Sequence, residues 1–334
     1  MTQVAKRIDA ARRRICELYA PVQAEMDQVE QLLRDELRHA DPYVDALVQH
    51  GFRLAGKRLR PALVLLTGKA VGRMSPDHLI LAAVVEMIHT ATLVHDDVLD
   101  DAALRRHEDT INARYNNQSS VLLGDYLFTH SFYLASTLAT TYACRTIGRA
   151  TNIVCEGELR QVHHRGNVSL SEIEYSEIIE AKTAELTSCC CRLGAHYADA
   201  SMDQESRLSN YGRHLGIAFQ IIDDLLDMTG DETLTGKSLG TDLAQCKMTL
   251  PLIRTLELAS PSERADLHAL LHEPTENTRT ALQPWLERYD AIAYARQKAR
   301  RHATQAREQL ADLADSPAAE VLRNLTDFVL DRES

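Results

Sequence analysis

The segment ILAAVVEMIHTATLVHDDVLDD, residues 80–101, joins a long apolar stretch to a cluster of aspartates. Its apolar residues recur at helical spacing, which predicts a buried helix. Because side chains four residues apart lie one above the other on a helix, we expect Asp96 and Asp100 on one face. Carboxylates at the edge of an apolar face are costly unless a cation or a hydrogen-bond donor compensates them. The end of this helix is therefore a candidate functional site.

A second segment, GIAFQIIDDLLD, residues 216–227, repeats the arrangement, with Asp223 four residues before Asp227. Aspartates usually belong to a solvated helix face, but here the flanking positions are apolar. If the two acidic motifs face each other in the fold, they form a cage for a hard divalent cation. Mg²⁺ suits such a cage, because it binds few carboxylates and completes its ligand shell with water and substrate phosphates. The two motifs together predict a metal-assisted enzyme with a phosphorylated substrate.

The composition favours a helical protein with a large core. Hydrophobic residues make up 45% of the 334 positions, and only 14 glycines and 9 prolines interrupt them. The formal net charge of −11 argues against nucleic-acid binding. Helical periodicity recurs from end to end, without an alternating strand pattern or a flexible linker. We predict one all-α domain over residues 1–334, with helices at about 3–38, 41–50, 59–72, 76–102, 109–115, 118–138, 141–164, 170–198, 203–228, 241–258, 261–271, 276–288 and 290–331.

The sequence predicts a cytoplasmic protein without a transmembrane segment. The first twenty residues are polar and charged, and they lack the apolar core of a signal peptide. Glu86, His89 and two threonines interrupt the most apolar stretch, which therefore reads as a buried helix. The seven cysteines form no CxxC pair, and their odd number is typical of reduced thiols.

Basic residues close to the acidic motifs are candidates for phosphate binding. In GKRLRP, residues 56–61, Lys57 and Arg60 lie three residues apart at a predicted helix start. Such a start offers unpaired N–H groups and the positive end of the helix dipole. Lysine adds a point charge and arginine a bidentate fork. From these residues alone, an ordinary basic surface turn is an equal alternative.

Arg105 and Arg106 follow the first acidic motif. Side chains of adjacent residues diverge, so this pair can hold two separate anions or can neutralise the aspartates. His89 lies two helical turns before Asp96 on the same face. A histidine in an apolar helix is usually a core residue, and for His89 both interpretations are open.

Polar residues around the second acidic motif could complete a phosphate clamp. Each of them also has a plausible role on the surface. They are Lys182, Thr183, Gln220, Lys237 and Lys247.

Taken together, these residues resemble the trans-polyprenyl diphosphate synthase family over nearly the whole chain. The family is one of the class I isoprenoid synthases, so the resemblance implies an all-α helical bundle around a central active-site cavity. The ordered motifs that carry the resemblance are GKRLRP (56–61), EMIHTATLVHDDVLDDAALRR (86–106), GDYL (124–127), GELRQ (157–161), KTAEL (182–186), FQIIDDLLD (219–227) and GKSLGTDL (236–243).

The resemblance implies a role for each matching position. Mg²⁺, three ions per active site with substrate bound, is expected on Asp96, Asp100 and Asp223. The catalytic residues implied are Asp96, Asp97, Asp100, Lys182, Asp223 and Asp224. Isopentenyl diphosphate is expected on Gly56, Lys57, Arg60, His89 and Arg106. The allylic diphosphate is expected on Arg105, Lys182, Thr183, Gln220, Lys237 and Lys247. The resemblance also implies a homodimer.

One loop departs from the family pattern. Family members commonly read RRGxPT and then WGN, where this chain has Arg-Arg-His107-Glu-Asp109-Thr and Tyr115-Asn-Asn. The loop lacks a glycine and a proline, which puts its shape and dynamics in question. No expected ligand is lost.

The implied function is the Mg²⁺-dependent, sequential head-to-tail condensation of isopentenyl diphosphate onto an allylic diphosphate of the farnesyl or geranyl type. A geranylgeranyl diphosphate synthase (C20) is the alternative enzyme, and a non-catalytic subunit of a heteromeric synthase is the alternative of another class. A class I terpene cyclase would lack GKRLRP and the second DDxxD motif. A squalene- or phytoene-synthase-like enzyme would not need an isopentenyl diphosphate site.

Product length is expected to depend on the residues below the first motif. Position 91 lies five residues before Asp96, about 7.5 Å along the helix. Short-chain members of the family commonly carry an aromatic ring there, whereas this chain has Ala91 and Thr92. We therefore expect an open tunnel that closes deeper, near Ile88 and Phe132, and products of about C30–C40. The alternative is that Ala91 only packs the helix.

Overall fold

The computed structural model describes residues 17–54, 56–105, 108–230, 240–272, 274–275 and 277–332. The predicted ligands Arg106 and Lys237 lie outside these residues. A 3₁₀ turn, Ala20–Val22, precedes the first helix. The helices that follow are α1 (Gln23–Glu36), α2 (Pro42–Leu54), α3 (Leu59–Val71), α4 (Pro76–Leu99), α5 (Ile111–Arg114), α6 (Asn117–Ser136), α7 (Tyr142–His163), α8 (Glu172–Ile179), α9 (Glu185–His196), α10 (Met202–Thr229), α11 (Thr241–Ala244), α12 (Leu250–Leu258), α13 (Pro261–His272), α14 (Thr278–Arg288), α15 (Ala291–Glu308) and α16 (Pro317–Leu330).

The all-α prediction is confirmed for the described residues, with four differences in detail. Two short antiparallel strands, β1 (Leu104–Arg105) and β2 (Glu108–Asp109), form a hairpin where no strand was expected. The predicted helix 241–258 is wrong as one element, because Cys246 adopts a left-handed conformation (φ 53°) and α12 starts anew with a proline in its first turn. The predicted helix 290–331 is also interrupted. It restarts at Pro317, where Ser316 Oγ accepts a hydrogen bond from Ala319 N.

The fourth difference lies in the predicted helix 170–198. A π-helical turn, Glu180–Ala184, separates α8 from α9. Turns of this kind are rare, and they occur frequently at functional sites. This one carries Lys182 and Thr183, two of the predicted ligands.

Contacts within the chain divide it into two compact units. The first comprises Met1–Arg149, Thr187–Ser209 and Leu310–Leu325, and the second comprises Ala150–Leu186, Asn210–Gln309 and Thr326–Ser334. The prediction of a single domain over residues 1–334 stays a prediction.

The core of the first unit forms around α4, which packs mainly against α6 and also against α3 and α1. Apolar residues on all sides of α4 account for this, since Leu81 to Val85 are all fully buried. Gly194 allows α9 to approach α3 closely, because a Cβ there would come within 2.4 Å of the Val64 carbonyl oxygen. The imidazole of His78 closes this contact with Nε2 3.1 Å from the Gly194 carbonyl oxygen.

In the second unit, α12 packs against α15. The buried side of α15 is built from alanines at four-residue spacing, Ala291, Ala295, Ala299 and Ala303. Small side chains on one helix face let a neighbouring helix come close, which accounts for the packing of α12 against α15.

Within the described residues, Pro76–Leu99 alone is long and apolar enough to cross a membrane, with a mean hydropathy of 1.4 over its most apolar window. Two thirds of that window (67%) is buried inside the protein. Because the core helix of a globular protein has the same composition, this is weak evidence for a membrane span.

Candidate active site

The first acidic motif lies at the carboxyl end of α4. Asp100 N donates to Asp96 O at 2.8 Å, which closes the last helical turn and aligns these residues on one face. Asp96 and Asp100 are half-buried. Asp101, which follows in a left-handed conformation (φ 49°), ends the helix and is exposed. The predicted alignment of the outer aspartates is therefore confirmed.

Asp97, the second aspartate of this motif, is buried and binds Arg105. Its side chain is only 2% exposed. Arg105 Nε donates to Asp97 Oδ1 at 2.9 Å and to Oδ2 at 3.2 Å, and an Nη atom lies 2.8 Å from Oδ1. This bidentate pair fixes the orientation of the guanidinium of Arg105, a predicted ligand of the allylic diphosphate.

The basic loop before α3 is held by carboxylates from two helices. Arg58 adopts a left-handed conformation (φ 51°), and its Nε donates to Glu30 at 2.6 Å while its Nη1 donates to Glu86 at 2.6 Å. Tyr19 Oη donates to the Lys57 carbonyl oxygen at 2.8 Å. These contacts connect the backbone of GKRLRP to α4, the helix that carries His89 and the first acidic motif.

The predicted isopentenyl diphosphate ligands in this unit differ in exposure. Gly56 and His89 are half-buried, and Lys57 is exposed. Burial lowers the pKa of Arg60, whose buried Nε has no hydrogen-bond partner among the residues that the structure describes. A buried donor of this kind is costly until an acceptor reaches it, so Arg60 is suited to bind an anion.

The π turn of the second unit presents Lys182 beside Glu158 of α7. Lys182 Nζ lies 2.5 Å from Glu158 Oε2. A Cβ at Gly157 would come within 2.7 Å of Lys182 N, so only glycine allows α7 to approach the π turn this closely. Gly157 belongs to the GELRQ motif, which explains structurally why a glycine is required there.

Thr183, Gln220 and Asp224 form one hydrogen-bonded chain, which Tyr175 completes. Thr183 Oγ1 donates to Gln220 Oε1 at 2.7 Å, and Gln220 Nε2 donates to Asp224 Oδ1 at 2.7 Å. Tyr175 Oη donates to Asp224 Oδ2 at 2.6 Å. Burial and the charges of Asp223 and Asp227 raise the pKa of Asp224 to about 7, although the hydrogen bonds from Tyr175 and Gln220 oppose this shift.

The outer aspartates of the second motif have other partners. Arg332 lies with Nη2 3.4 Å from Asp223 Oδ1, and its guanidinium covers the ring of Phe219 at 4.1 Å. Burial lowers the pKa of Arg332, and Asp223 opposes the shift. Asp227 accepts hydrogen bonds from the backbone and hydroxyl of Thr241. It therefore anchors the start of α11.

Lys247, the remaining predicted ligand of this unit, is half-buried just beyond α11. Its Nζ lies 3.9 Å from Asp242 Oδ1. Asp242 N in turn donates to Asp227 Oδ2 at 3.1 Å, which connects Lys247 indirectly to the second acidic motif.

The predicted chain-length residues lie on α4 and α6 of the first unit. Ala91 and Ile88 are buried, and Thr92 is half-buried with its hydroxyl donating to the His89 carbonyl oxygen at 2.8 Å. On α6, which packs against α4, the ring of Phe132 lies 5.2 Å from that of Phe128. Thr92 and Ala91 precede Asp96 by four and five residues on α4, and the tunnel itself stays a prediction.

A cavity of about 300 Å³ lies in the second unit, outside the predicted site. It is lined by residues of α8, α10, α12 and α15, among them Tyr175, His214, Lys298 and His302. None of the predicted ligands lines it. Tyr175, which binds Asp224, and Ile221 of the second acidic motif connect the cavity to that motif.

The prediction that the two acidic motifs face each other concerns residues of different units, and it stays a prediction. Sequence reasoning missed Glu158, Tyr175 and Arg332. Tyr175 lies seven residues before Lys182, so the helical spacing in EYSEIIEAKT could have indicated it. Arg332 has no such local signal, because its partner Asp223 is 109 positions away.

The donor chemistry of the outer aspartates fits a hard divalent cation. Asp96, Asp100 and Asp223 offer carboxylate oxygens, and Asp223 is already accompanied by the cationic Arg332. Among the residues that the structure describes, no group of three His, Cys, Asp or Glu side chains forms a ready metal site. The carboxylate oxygens of these aspartates suit Mg²⁺, which takes few protein ligands and completes its shell with water and phosphate oxygens.

The chain matches known proteins over most of its length. The family model described as Polyprenyl synthetase matches residues 41–285. The octaprenyl diphosphate synthase of Escherichia coli (strain K12) is 36% identical over 281 residues, which cover 83% of this chain and 86% of that protein.

Two solved structures are similar throughout. The decaprenyl diphosphate synthase from Rhodobacter capsulatus is 35% identical with a TM-score of 0.90, over 96% of this chain and 99% of that one. The polyprenyl synthase from Caulobacter crescentus CB15, complexed with calcium and isoprenyl diphosphate, is 33% identical with a TM-score of 0.91, over 96% and 98% of the two chains.

Proposed function

The chain belongs to the polyprenyl synthetase family, and from this premise we propose how its residues divide the work of condensation. It has the all-α isoprenoid synthase fold, and it is a prenyltransferase that makes long-chain trans-polyprenyl diphosphates. We propose that it adds isopentenyl diphosphate repeatedly to a farnesyl- or geranyl-type diphosphate, with products of about C30–C40. The proposed divalent cation is Mg²⁺, three ions per active site.

In each cycle the C–O bond of the allylic diphosphate breaks, and the diphosphate leaves with the bonding electron pair. The double bond of isopentenyl diphosphate supplies the electrons for the new C–C bond. Loss of a proton, which we assign to the released diphosphate, restores an allylic double bond, so the cycle can repeat. Asp96, Asp100 and Asp223 would hold the cations, which would supply charge stabilisation to the leaving diphosphate.

The residues of the chain divide between the two substrates. Asp96, Asp100 and Asp223 hold the cations in this proposal. Arg105, Lys182, Thr183, Gln220, Lys237 and Lys247 hold the allylic diphosphate. Gly56, Lys57, Arg60, His89 and Arg106 hold isopentenyl diphosphate.

The observation that carries the proposal is the placement of half-buried aspartates at the ends of buried apolar helices, beside basic groups. The test is an assay of the single purified chain with isopentenyl and farnesyl diphosphates and Mg²⁺, followed by chromatography of the dephosphorylated products. A C20 product would favour a geranylgeranyl diphosphate synthase. An inactive chain would favour a non-catalytic subunit.

Arg105→Ala and Arg106→Ala are expected to raise KM for different substrates. Asp97 binds the Arg105 guanidinium through both of its carboxylate oxygens, and Arg105 is assigned here to the allylic diphosphate. We expect Arg105→Ala to raise KM for the allylic substrate about tenfold or more, and Arg106→Ala to do the same for isopentenyl diphosphate.

The measurement is steady-state kinetics with each substrate varied in turn. Arg114→Ala, a change in the last turn of α5 outside the proposed site, is the control. Equal effects of both changes on both substrates would refute the assignment.

We also propose a homodimer, with the outer face of α6 as its contact in the first unit. Leu122 and Tyr133, three helical turns apart, are 59% and 63% exposed, and Val121 is exposed beside them. Large apolar side chains grouped on one helix are unusual on a monomer surface. A second copy is the proposed occupant, because most soluble oligomers are symmetric homo-oligomers.

Light scattering is expected to give the mass of two chains for the wild type. Leu122→Glu combined with Tyr133→Glu should shift it toward one chain, because charges are costly in a buried contact. Met202→Glu, at a position of the same unit that is 90% exposed, is the control and should leave the mass unchanged. A wild-type monomer at micromolar concentrations contradicts the proposal.

The cytoplasmic location stays a prediction.

A further inference from the structure

We propose that Tyr175 and Asp224 are positioning residues that fix the amide of Gln220 for the allylic diphosphate, without touching the substrate themselves. This inference rests on the proposed function, because it assumes that Gln220 binds the allylic diphosphate. It assigns a function to Tyr175. It also gives the second aspartate of each acidic motif a positioning role that differs from the role of the outer aspartates.

Asp224 is placed to receive hydrogen bonds inside the protein. The residue is 7% exposed. Each of its carboxylate oxygens accepts a short hydrogen bond, Oδ1 from Gln220 Nε2 at 2.7 Å and Oδ2 from Tyr175 Oη at 2.6 Å. A buried carboxylate is stable only with such donors.

The partners of Gln220 determine the orientation of its amide. Its Oε1 accepts from the hydroxyl of Thr183 at 2.7 Å, and its Nε2 donates to Asp224. The reversed amide would direct its oxygen at Asp224 Oδ1 and would lose the hydrogen bond that Gln220 Nε2 donates to that oxygen in the structure. Gln220 Nε2 donates one of its two hydrogens to Asp224. The amide is thereby held in one orientation, so the second hydrogen has a fixed direction and can be donated to a diphosphate oxygen.

Tyr175 holds the far side of the carboxylate. The residue is 4% exposed, and no second donor to Asp224 Oδ2 is seen among the described residues. Without the hydroxyl, Oδ2 would be buried and unpaired, and the carboxylate could turn away from Gln220. Tyr175 also lies on α8, which leads directly into the π turn with Lys182 and Thr183.

The first acidic motif uses its second aspartate in the same way. Asp97 is buried and binds Arg105, another proposed ligand of the allylic diphosphate, through both carboxylate oxygens. In both motifs, therefore, the second aspartate binds and orients a side chain that we assign to the allylic diphosphate: Arg105 for Asp97, and Gln220 for Asp224.

The test is Tyr175→Phe, which removes one hydroxyl and keeps the ring. The matched control is Tyr294→Phe, because Tyr294 Oη also donates to a carboxylate, Glu172 Oε2, at 2.6 Å in the same unit. We expect Tyr175→Phe to raise KM for the allylic substrate about tenfold and to leave KM for isopentenyl diphosphate within about twofold. Tyr294→Phe should change neither constant.

A double-mutant cycle with Gln220→Ala separates positioning from a general loss of stability. If Tyr175 acts through Gln220, its change should have little further effect on KM in the Gln220→Ala background. Melting temperatures of all variants are measured, and the kinetics are run well below the lowest of them.

Equal KM values for Tyr175→Phe and Tyr294→Phe overturn the inference, as does full additivity with Gln220→Ala. A parallel rise of both KM values also overturns it, because that result indicates a structural role. A wild-type chain without condensation activity refutes the proposed function instead, so the two failures are distinguishable.

Discussion

Asp96→Ala and Asp223→Ala are each expected to lower turnover about a hundred- to a thousandfold while the helical fold stays intact. Both aspartates are half-buried at the surface of their units, so their removal leaves no large cavity. Each change removes a proposed ligand of the divalent cation and with it part of the charge stabilisation of the leaving diphosphate. Losing one such stabilising group typically costs about a hundred- to a thousandfold in turnover. The measurement is the rate of isopentenyl diphosphate incorporation at saturating substrates, with circular dichroism to verify the helical content.

Asp101→Asn is the matched control for Asp96→Ala. Asp101 lies in the same DDVLDD sequence, is exposed, and has a left-handed backbone that asparagine tolerates well. Its turnover should stay within about twofold of the wild type. The Mg²⁺ dependence of the activity is a second measurement. The Mg²⁺ concentration for half-maximal activity should rise in Asp96→Ala and Asp223→Ala and stay unchanged in Asp101→Asn. Near-normal activity of either alanine variant would remove the central proposal.

Ala91→Phe is expected to shorten the product from about C30–C40 to C15 or C20 with catalysis largely retained. Ala91 is buried on α4, more than one helical turn before the acidic end, and α4 packs against α6, the helix that carries Phe128 and Phe132. A phenyl ring here would fill the path of the growing chain at about 7.5 Å from Asp96 along the helix. The measurement is chromatography of the dephosphorylated products.

A graded series separates a blocked tunnel from a packing defect. Overpacking a core typically costs about 1–3 kcal/mol of stability, which lowers the amount of active enzyme and leaves the product length unchanged. In the series Ala91→Val, Ala91→Leu and Ala91→Phe, the mean product length should instead fall as the side chain grows. An unchanged distribution in Ala91→Phe, or a wild-type product of C15, contradicts the open tunnel.

The structure agrees with the sequence where the relevant forces are local. The apolar pattern of residues 80–94 predicts a buried helix, and α4 is buried on nearly all sides. The predicted alignment of Asp96 with Asp100 depends only on the pitch of a helix. Where the prediction was wrong, as at Cys246 and Pro317, a single residue ended or restarted a helix whose hydrophobic pattern continued.

The sequence could not predict which side chains bind each other within the candidate site. The motifs DDVLD and DDLLD present three aspartates each, and nothing in their spacing separates the second from the outer two. The separation comes from Arg105, at the start of an unpredicted hairpin, and from Tyr175, which lies 49 positions before Asp224. Similarly, the basic loop is held by Glu30 and Glu86, each 28 positions from Arg58.

The sequence by itself determined that this chain is helical and that it carries two acidic motifs beside basic residues, because helical periodicity and four-residue spacing act within a few positions. Only the tertiary structure decided that Asp97 and Asp224 are buried and engaged, that Gln220 has a fixed amide orientation, and that Arg332 reaches Asp223. The physical reason is that a buried carboxylate must find its donors wherever the packed helices place them. Those donors come from helices and strands that are distant in the chain, so their identity depends on packing and not on local pattern.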